Sequence, residues 1–205
     1  MKIKVCGMKY KDNIEELLTL KVNYIGFIFY DKSPRFAGVD LNTDYLNNNQ
    51  SVSKTGVFVN STIDNIIAKA ENHKLNYIQL HGNESPDFCK ELFDNNYKLI
   101  KAFQIDSNFD FNSTKKYKSS CSFFLFDTKT SDFGGSGAKF DWDILNYYDN
   151  EIPYFLSGGI DIESIDKIKS LSGKFNIHAI DINSKFEVEP GLKDIKKIKN
   201  FITLL

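Results

Sequence analysis

Short apolar, β-rich runs alternate along this chain with segments whose apolar residues return at helical spacing. The runs fall at residues 3–6, 24–29, 55–59, 77–80, 99–103, 123–126, 153–156 and 177–182. Ile14, Leu17 and Leu18 share one face of a helix predicted over 12–20, and Ile63, Ile66 and Ile67 one face of a helix over 62–71. Ser61 or Thr62 suits the N-cap of the second helix. Ser85-Pro86 opens another that runs to about 93, with proline in its first turn. Further helices are expected over 44–49, 162–171 and 194–205, and one starting over 141–146. The polar and aromatic stretch 107–120 should also be helical, although its periodicity is poor.

Eight strand-then-helix units result, and strands alternating with helices imply parallel pairing through crossovers. Most of the runs are apolar on both faces, as a sheet covered by helices outside and filled inside requires. A doubly wound open sheet would give the same alternation. The count of eight selects an α/β fold of the (β/α)8 TIM-barrel type, and 205 residues lie at the lower limit of ~200 for it. One domain over 1–205 is expected, with no linker, low-complexity tract or short repeat.

Composition narrows the function classes. With 26 basic against 27 acidic residues the net charge is -1, so nucleic acid is not a favoured partner. No apolar run approaches the ~20 residues needed to cross a bilayer, and the start MKIKVCG lacks a signal core. Cys6, Cys89 and Cys121 are odd in number and widely spaced, which suits neither a disulfide framework nor a metal site. A cytoplasmic, membrane-free protein without a bound metal is expected, as a monomer or a homodimer.

In such a barrel the loops after the strands build the active site. Two strands stop at residues able to move a proton: Lys4-Val5-Cys6-Gly7 at Cys6 and Phe124-Leu125-Phe126-Asp127 at Asp127. As parallel strands of one barrel they would deliver thiol and carboxyl to the same rim as an acid/base pair. Asp127 would need a pKa raised by burial or a neighbouring anion to serve as the acid. A Cys6 thiolate would be such an anion. Ser157-Gly158-Gly159 after strand seven lets backbone N–H groups approach an anion, and Asn183-Ser184 after strand eight could add donors. Arg35 can pair bidentately with a carboxylate. His81 could donate to a ligand, and Gly134-Gly135-Ser136-Gly137 could close as a lid. Each has a plainer reading: an inert buried thiol for Cys6, a turn-former for Asp127, a tight turn for the glycines, and a solvated cation for Arg35. His81 could equally satisfy backbone, and the glycine-rich run could be simple slack.

Seven fragments, KVCGM, GFIFYDKSPRFAG, TGVFVN, YIQLHGNES, LFDTKTSDFGGSGAKFDW, LSGGI and DINSKFEVEPGLKD, occur in order over nearly the whole chain. Together they resemble the phosphoribosylanthranilate isomerase family of tryptophan biosynthesis. The resemblance implies a (β/α)8 barrel, a phosphosugar substrate and an Amadori rearrangement that needs no cofactor. It assigns Asp127 as general acid at the ribose ring oxygen and Cys6 as general base at C2′. It further gives Arg35 to the anthranilate carboxylate, and Gly158 and Gly159 with the strand-eight loop to the phosphate. One departure stands out: Asn183-Ser184-Lys185 replaces the Ser-Gly pair frequent in that loop. Its ammonium could itself attract phosphate.

Three rivals share the scaffold. A histidine-pathway isomerase resembles an aspartate pair at these strand ends, which Cys6 opposes. A phosphosugar-binding barrel without activity needs neither Cys6 nor Asp127. A metal-dependent epimerase would want several ligands on the rim, whereas of His73, His81 and His178 only His81 falls there.

Overall fold

A computed structural model of the chain describes residues 1–38, 41–47, 51–128 and 141–205. The predicted glycine-rich lid, Gly134 to Gly137, lies outside them. Eight parallel strands close on one another in sequence order: β1 (Lys2–Val5), β2 (Tyr24–Ile28), β3 (Ser53–Phe58), β4 (Tyr77–Leu80), β5 (Leu99–Ile105), β6 (Phe123–Thr128), β7 (Tyr154–Leu156) and β8 (Ile177–Ile182). The seam that closes the cylinder is β1 against β8, with Lys4 opposite Asp181 and Val5 opposite Ile182. Because every pairing is parallel, all eight carboxyl ends share one rim.

Around the cylinder run α1 (Lys11–Leu18), α2 (Ile63–Asn72), α3 (Pro86–Asp94), α4 (Ile165–Ser172) and α5 (Ile195–Leu204). Side-chain caps set the starts of α2, α3 and α5. Thr62 accepts from the Asn65 amide at 3.4 Å, Ser85 from Phe88 at 3.1 Å and Asp194 from Lys197 at 2.9 Å. Each helix lays an apolar stripe on the sheet, as Ile14 and Leu17 do from α1 and Cys89 and Leu92 from α3.

Two predicted helices take another form. Residues Phe111–Tyr117 and Trp142–Tyr147 are 3-10 turns. Their buried residues explain this: Phe111, Thr114 and Tyr117 in one, Trp142, Leu145 and Tyr148 in the other, return every third position. That period matches three residues per turn rather than 3.6. The short expected helix at 44–49 is likewise a 3-10 turn, Asp44–Leu46. Strand eight is followed by an element the periodicity did not suggest: a 3-10 turn, Ser184–Phe186, then a hairpin of β9 (Glu187–Glu189) and β10 (Leu192–Lys193). Pro190-Gly191 turns the hairpin, with Gly191 at φ +91°.

Inside the cylinder the lower end is filled by Tyr24, Ile100, Ala102, Leu125, Phe155 and Ala179, with Tyr77 and Phe123 packed on them. Side chains alternate across a strand, so the next inward positions towards the rim follow from these. They are Lys4 and Cys6, Ile28, Val57, Gln79 and His81, Asp127, Ser157, and Asp181.

Candidate active site

Cys6 sits at the end of β1, its amide donating to the Ile182 carbonyl at 2.9 Å, which ties it to β8. Its thiol is buried against Ile28 and Val57, with Tyr30 at the edge. Gly26 on β2 makes room for it. A Cβ added there would stand 2.8 Å from the Cys6 sulfur and 3.1 Å from its Cα. Gly7, at φ +73°, then turns the chain away from the rim.

Two inward positions on neighbouring strands carry opposite charges. The Lys4 ammonium donates to both carboxylate oxygens of Asp181 at 3.0 Å, and both residues are buried. Burial weighs against charge on each partner. For Lys4 burial is the largest single effect, but Asp181 and Cys6 together outweigh it and lift the ammonium's pKa above its ordinary value. For Asp181 burial wins and pushes the carboxyl up, with the negative charge of Asp127 adding to the shift. Burial also pushes the Cys6 thiol up, and the positive charge of Lys4 works against that rise.

Asp127 is placed at the end of β6, facing inwards at the same rim. One carboxylate oxygen accepts from the Thr128 amide at 2.8 Å, and the other lies 3.3 Å from His81 Nε2. That approach has ion-pair distance without hydrogen-bond alignment. Gln79, two residues earlier on β4, meets His81 Nδ1 through its amide at 2.8 Å. His81 thus stands between Gln79 and Asp127 at the rim.

Arg35, in the loop after β2, is not a solvated cation. Its Nε lies 3.0 and 2.9 Å from the two Glu187 carboxylate oxygens, and its Nη2 lies 2.8 Å from one of them. Glu187 also accepts from Lys193 Nζ at 2.6 Å and from the Gly191 amide at 3.1 Å. Burial opposes its charge, but Arg35 and Lys193 together hold its carboxyl below the ordinary value. Lys193 reaches Asn183 Oδ1 as well, at 2.7 Å. The β9–β10 hairpin thus fixes both Arg35 and Asn183 at the mouth.

Gly158 and Gly159 follow β7 with φ of +92° and +62°, a pair of left-handed residues that glycine adopts without strain. A Cβ at Gly158 would collide with Thr128, so the β7 turn packs directly against the end of β6. Ser184 opens the 3-10 turn after β8, and Lys185 beside it is exposed. The structure thus brings Cys6, Asp127, His81, Arg35, Gly158, Gly159, Asn183 and Ser184 to one end of the barrel. The sequence reading missed Lys4, Gln79, Asp181, Glu187 and Lys193. A signal existed for two of them: Lys4 and Asp181 are charges inside apolar strands, and a buried charge demands a partner.

Among the described residues no group of three or more His, Cys, Asp or Glu side chains could hold a metal ion. Nor is any described helix long and apolar enough to cross a membrane.

Comparison with known proteins converges on one family. The family model described as N-(5′-phosphoribosyl)anthranilate (PRA) isomerase matches residues 3–203. A protein of Parabacteroides distasonis named N-(5′-phosphoribosyl)anthranilate isomerase is 48% identical over 204 residues, covering 98% of this chain and 92% of its own length. Among solved structures, phosphoribosyl anthranilate isomerase from Thermotoga maritima superposes with a TM-score of 0.83 at 31% identity, covering 100% of this chain and 98% of that one. A further phosphoribosyl anthranilate isomerase was solved with reduced 1-(o-carboxyphenylamino)-1-deoxyribulose 5-phosphate. It gives a TM-score of 0.79 at 29% identity over 99% of this chain and 97% of that one. A barrel whose rim carries a thiol, a carboxyl and a fixed guanidinium, matched end to end by these proteins, belongs to the phosphoribosylanthranilate isomerase family.

Proposed function

We propose that this chain converts N-(5-phosphoribosyl)anthranilate to 1-(2-carboxyphenylamino)-1-deoxyribulose 5-phosphate in tryptophan biosynthesis, with Asp127 as general acid and Cys6 as general base. The observation that carries this reading is the placement of both residues on inward positions at one rim, with Lys4, Asp181 and His81 among them. Asp127 gives a proton to the ribose ring oxygen as the C1′–O bond breaks, and the anthranilate nitrogen lone pair closes C1′=N. The Cys6 thiolate then removes the C2′ proton. That electron pair forms C1′=C2′ and returns the C=N pair to nitrogen. The enol loses its hydroxyl proton and C1′ gains one, leaving the ketone at C2′. A hydrogen moves between neighbouring carbons with no net gain or loss of electrons, so the balance calls for no redox partner.

The remaining residues bind. Arg35 takes the anthranilate carboxylate with the guanidinium edge that Glu187 leaves open. Ile28, Val57 and Tyr30 offer an apolar wall beside Cys6 for the aromatic ring. The backbone donors around Gly158 and Gly159, with Asn183 and Ser184, take the phosphate. The test is loss of the substrate's anthranilate fluorescence on adding purified protein, with product captured by the next enzyme of the pathway. Turnover is expected. Arg35→Ala should weaken binding of the carboxylated substrate far more than that of a decarboxylated analogue. Absent turnover overturns the reading, and equal weakening of both ligands returns Arg35 to a purely structural role.

A further inference from the structure

Cys6 is an awkward choice of base where it stands. An apolar wall on one side and burial beneath favour the neutral thiol, whereas proton abstraction requires the thiolate. Lys4 is two residues earlier on the same strand, so it projects on the same inward face one layer below. Its ammonium has three N–H donors. Asp181, its direct register partner across the closing seam, engages it through both carboxylate oxygens at 3.0 Å. That clamp fixes the Lys4 ammonium in the layer directly below the thiol. The missing side chain at Gly26 leaves the space that the sulfur occupies.

We propose that Lys4, oriented by Asp181, is the positioning residue that keeps the Cys6 thiolate accessible at the barrel mouth. The two members of the pair then act on Cys6 with opposite sign: the ammonium favours the thiolate and the carboxylate disfavours it. Among the described residues the charges acting on the sulfur are Lys4 from β1, Asp181 from β8 and Lys193 from β10. The facing β2 position is Gly26, which carries no charge. A pair serving only to close the seam between β1 and β8 would leave the kcat–pH profile of the folded variants where the wild type has it. The assignment rests on Cys6 being the base, and its first test, alkylation of the thiol, uses no substrate.

The experiment measures the rate at which iodoacetamide alkylates Cys6, read at the Cys6 peptide by mass spectrometry, in folded wild type, Lys4→Gln and Asp181→Asn. Both substitutions keep a hydrogen-bonding group in place, and thermal melting checks the fold of each. Lys4→Gln should alkylate about tenfold more slowly at fixed pH, because losing the ammonium lowers the thiolate fraction. Asp181→Asn should alkylate faster than wild type, and Lys4→Arg should stay near it. A kcat–pH profile should lose its acidic limb to higher pH in Lys4→Gln while KM holds. Equal alkylation in all forms overturns the role of Lys4 and leaves the isomerase reading standing. If Lys4→Gln does not fold, an Asp181→Asn rate at or below wild type overturns it alone. Absence of Cys6 alkylation in every form overturns both, because a substrate larger than iodoacetamide must reach the same atom.

Discussion

The two halves of the barrel interior are built from the same eight strands and could hardly differ more. The lower half is an aromatic plug. Tyr24 meets Phe155 edge to face at 5.2 Å, Phe123 meets Phe155 likewise at 5.5 Å, and His178 is enclosed among them. The upper half carries Lys4, Asp181, Gln79, His81 and Asp127, none of them exposed. Buried ions cost several kcal/mol each to desolvate and are seldom the most stable filling for a core. Their concentration at the rim end therefore marks where this fold trades stability for chemistry. Stability is supplied below, where rings fill the cylinder.

The comparison can be broken most forcefully by emptying each half. Phe155→Ala should cost about 3–5 kcal/mol of unfolding free energy, as large-to-small aromatic changes do. Lys4→Met should cost a similar ~3–5 kcal/mol, because it strands the Asp181 charge. The halves separate in the rescue. Lys4→Met combined with Asp181→Leu should recover most of the loss, while no single partner change restores Phe155→Ala. Chemical denaturation measures both, and failure of the double variant to recover would make the upper pair a stability element.

A smaller effect tests the fit around the thiol. Gly26→Ala places a methyl 2.8 Å from the Cys6 sulfur. It should cost about 1–3 kcal/mol by overpacking and lower turnover by displacing the sulfur. Normal turnover would show that the thiol need not sit there. The smallest effect belongs to the lower half. His178 shares a 2.6 Å hydrogen bond with the Tyr24 hydroxyl, and burial, with Lys2 adding, pulls its pKa from 6.5 to about 4. Between those values the unfolded chain binds the extra proton. The stabilising contribution is therefore complete above pH 6.5 and fades as pH falls towards 4. Melting temperatures across that range should fall less steeply in His178→Gln than in wild type.

Much of this was legible in the sequence, and the rest was hidden for identifiable reasons. All eight strands could be read because apolar runs between helical periods leave few alternatives. Cys6 and Asp127 stood out because each ends such a run. The 3-10 turns at 111–117 and 142–147 read as helices: Trp142, Leu145 and Tyr148 put a spacing of three on view, but the polar Thr114 hides it in the other turn. Glu187 and Lys193 were invisible because their importance comes from a hairpin that folds back over Arg35, and only Pro190-Gly191 hinted at it. Lys4 and Asp181 are 177 positions apart, and only closure of the barrel makes them neighbours. The charges were readable, but their pairing was not.

The most direct measurement is isomerase turnover in Cys6→Ala and Asp127→Asn, each shown by circular dichroism and melting to retain the barrel. The account predicts that both lose activity by several orders of magnitude while still binding substrate. Near-wild-type turnover in either folded variant would contradict it.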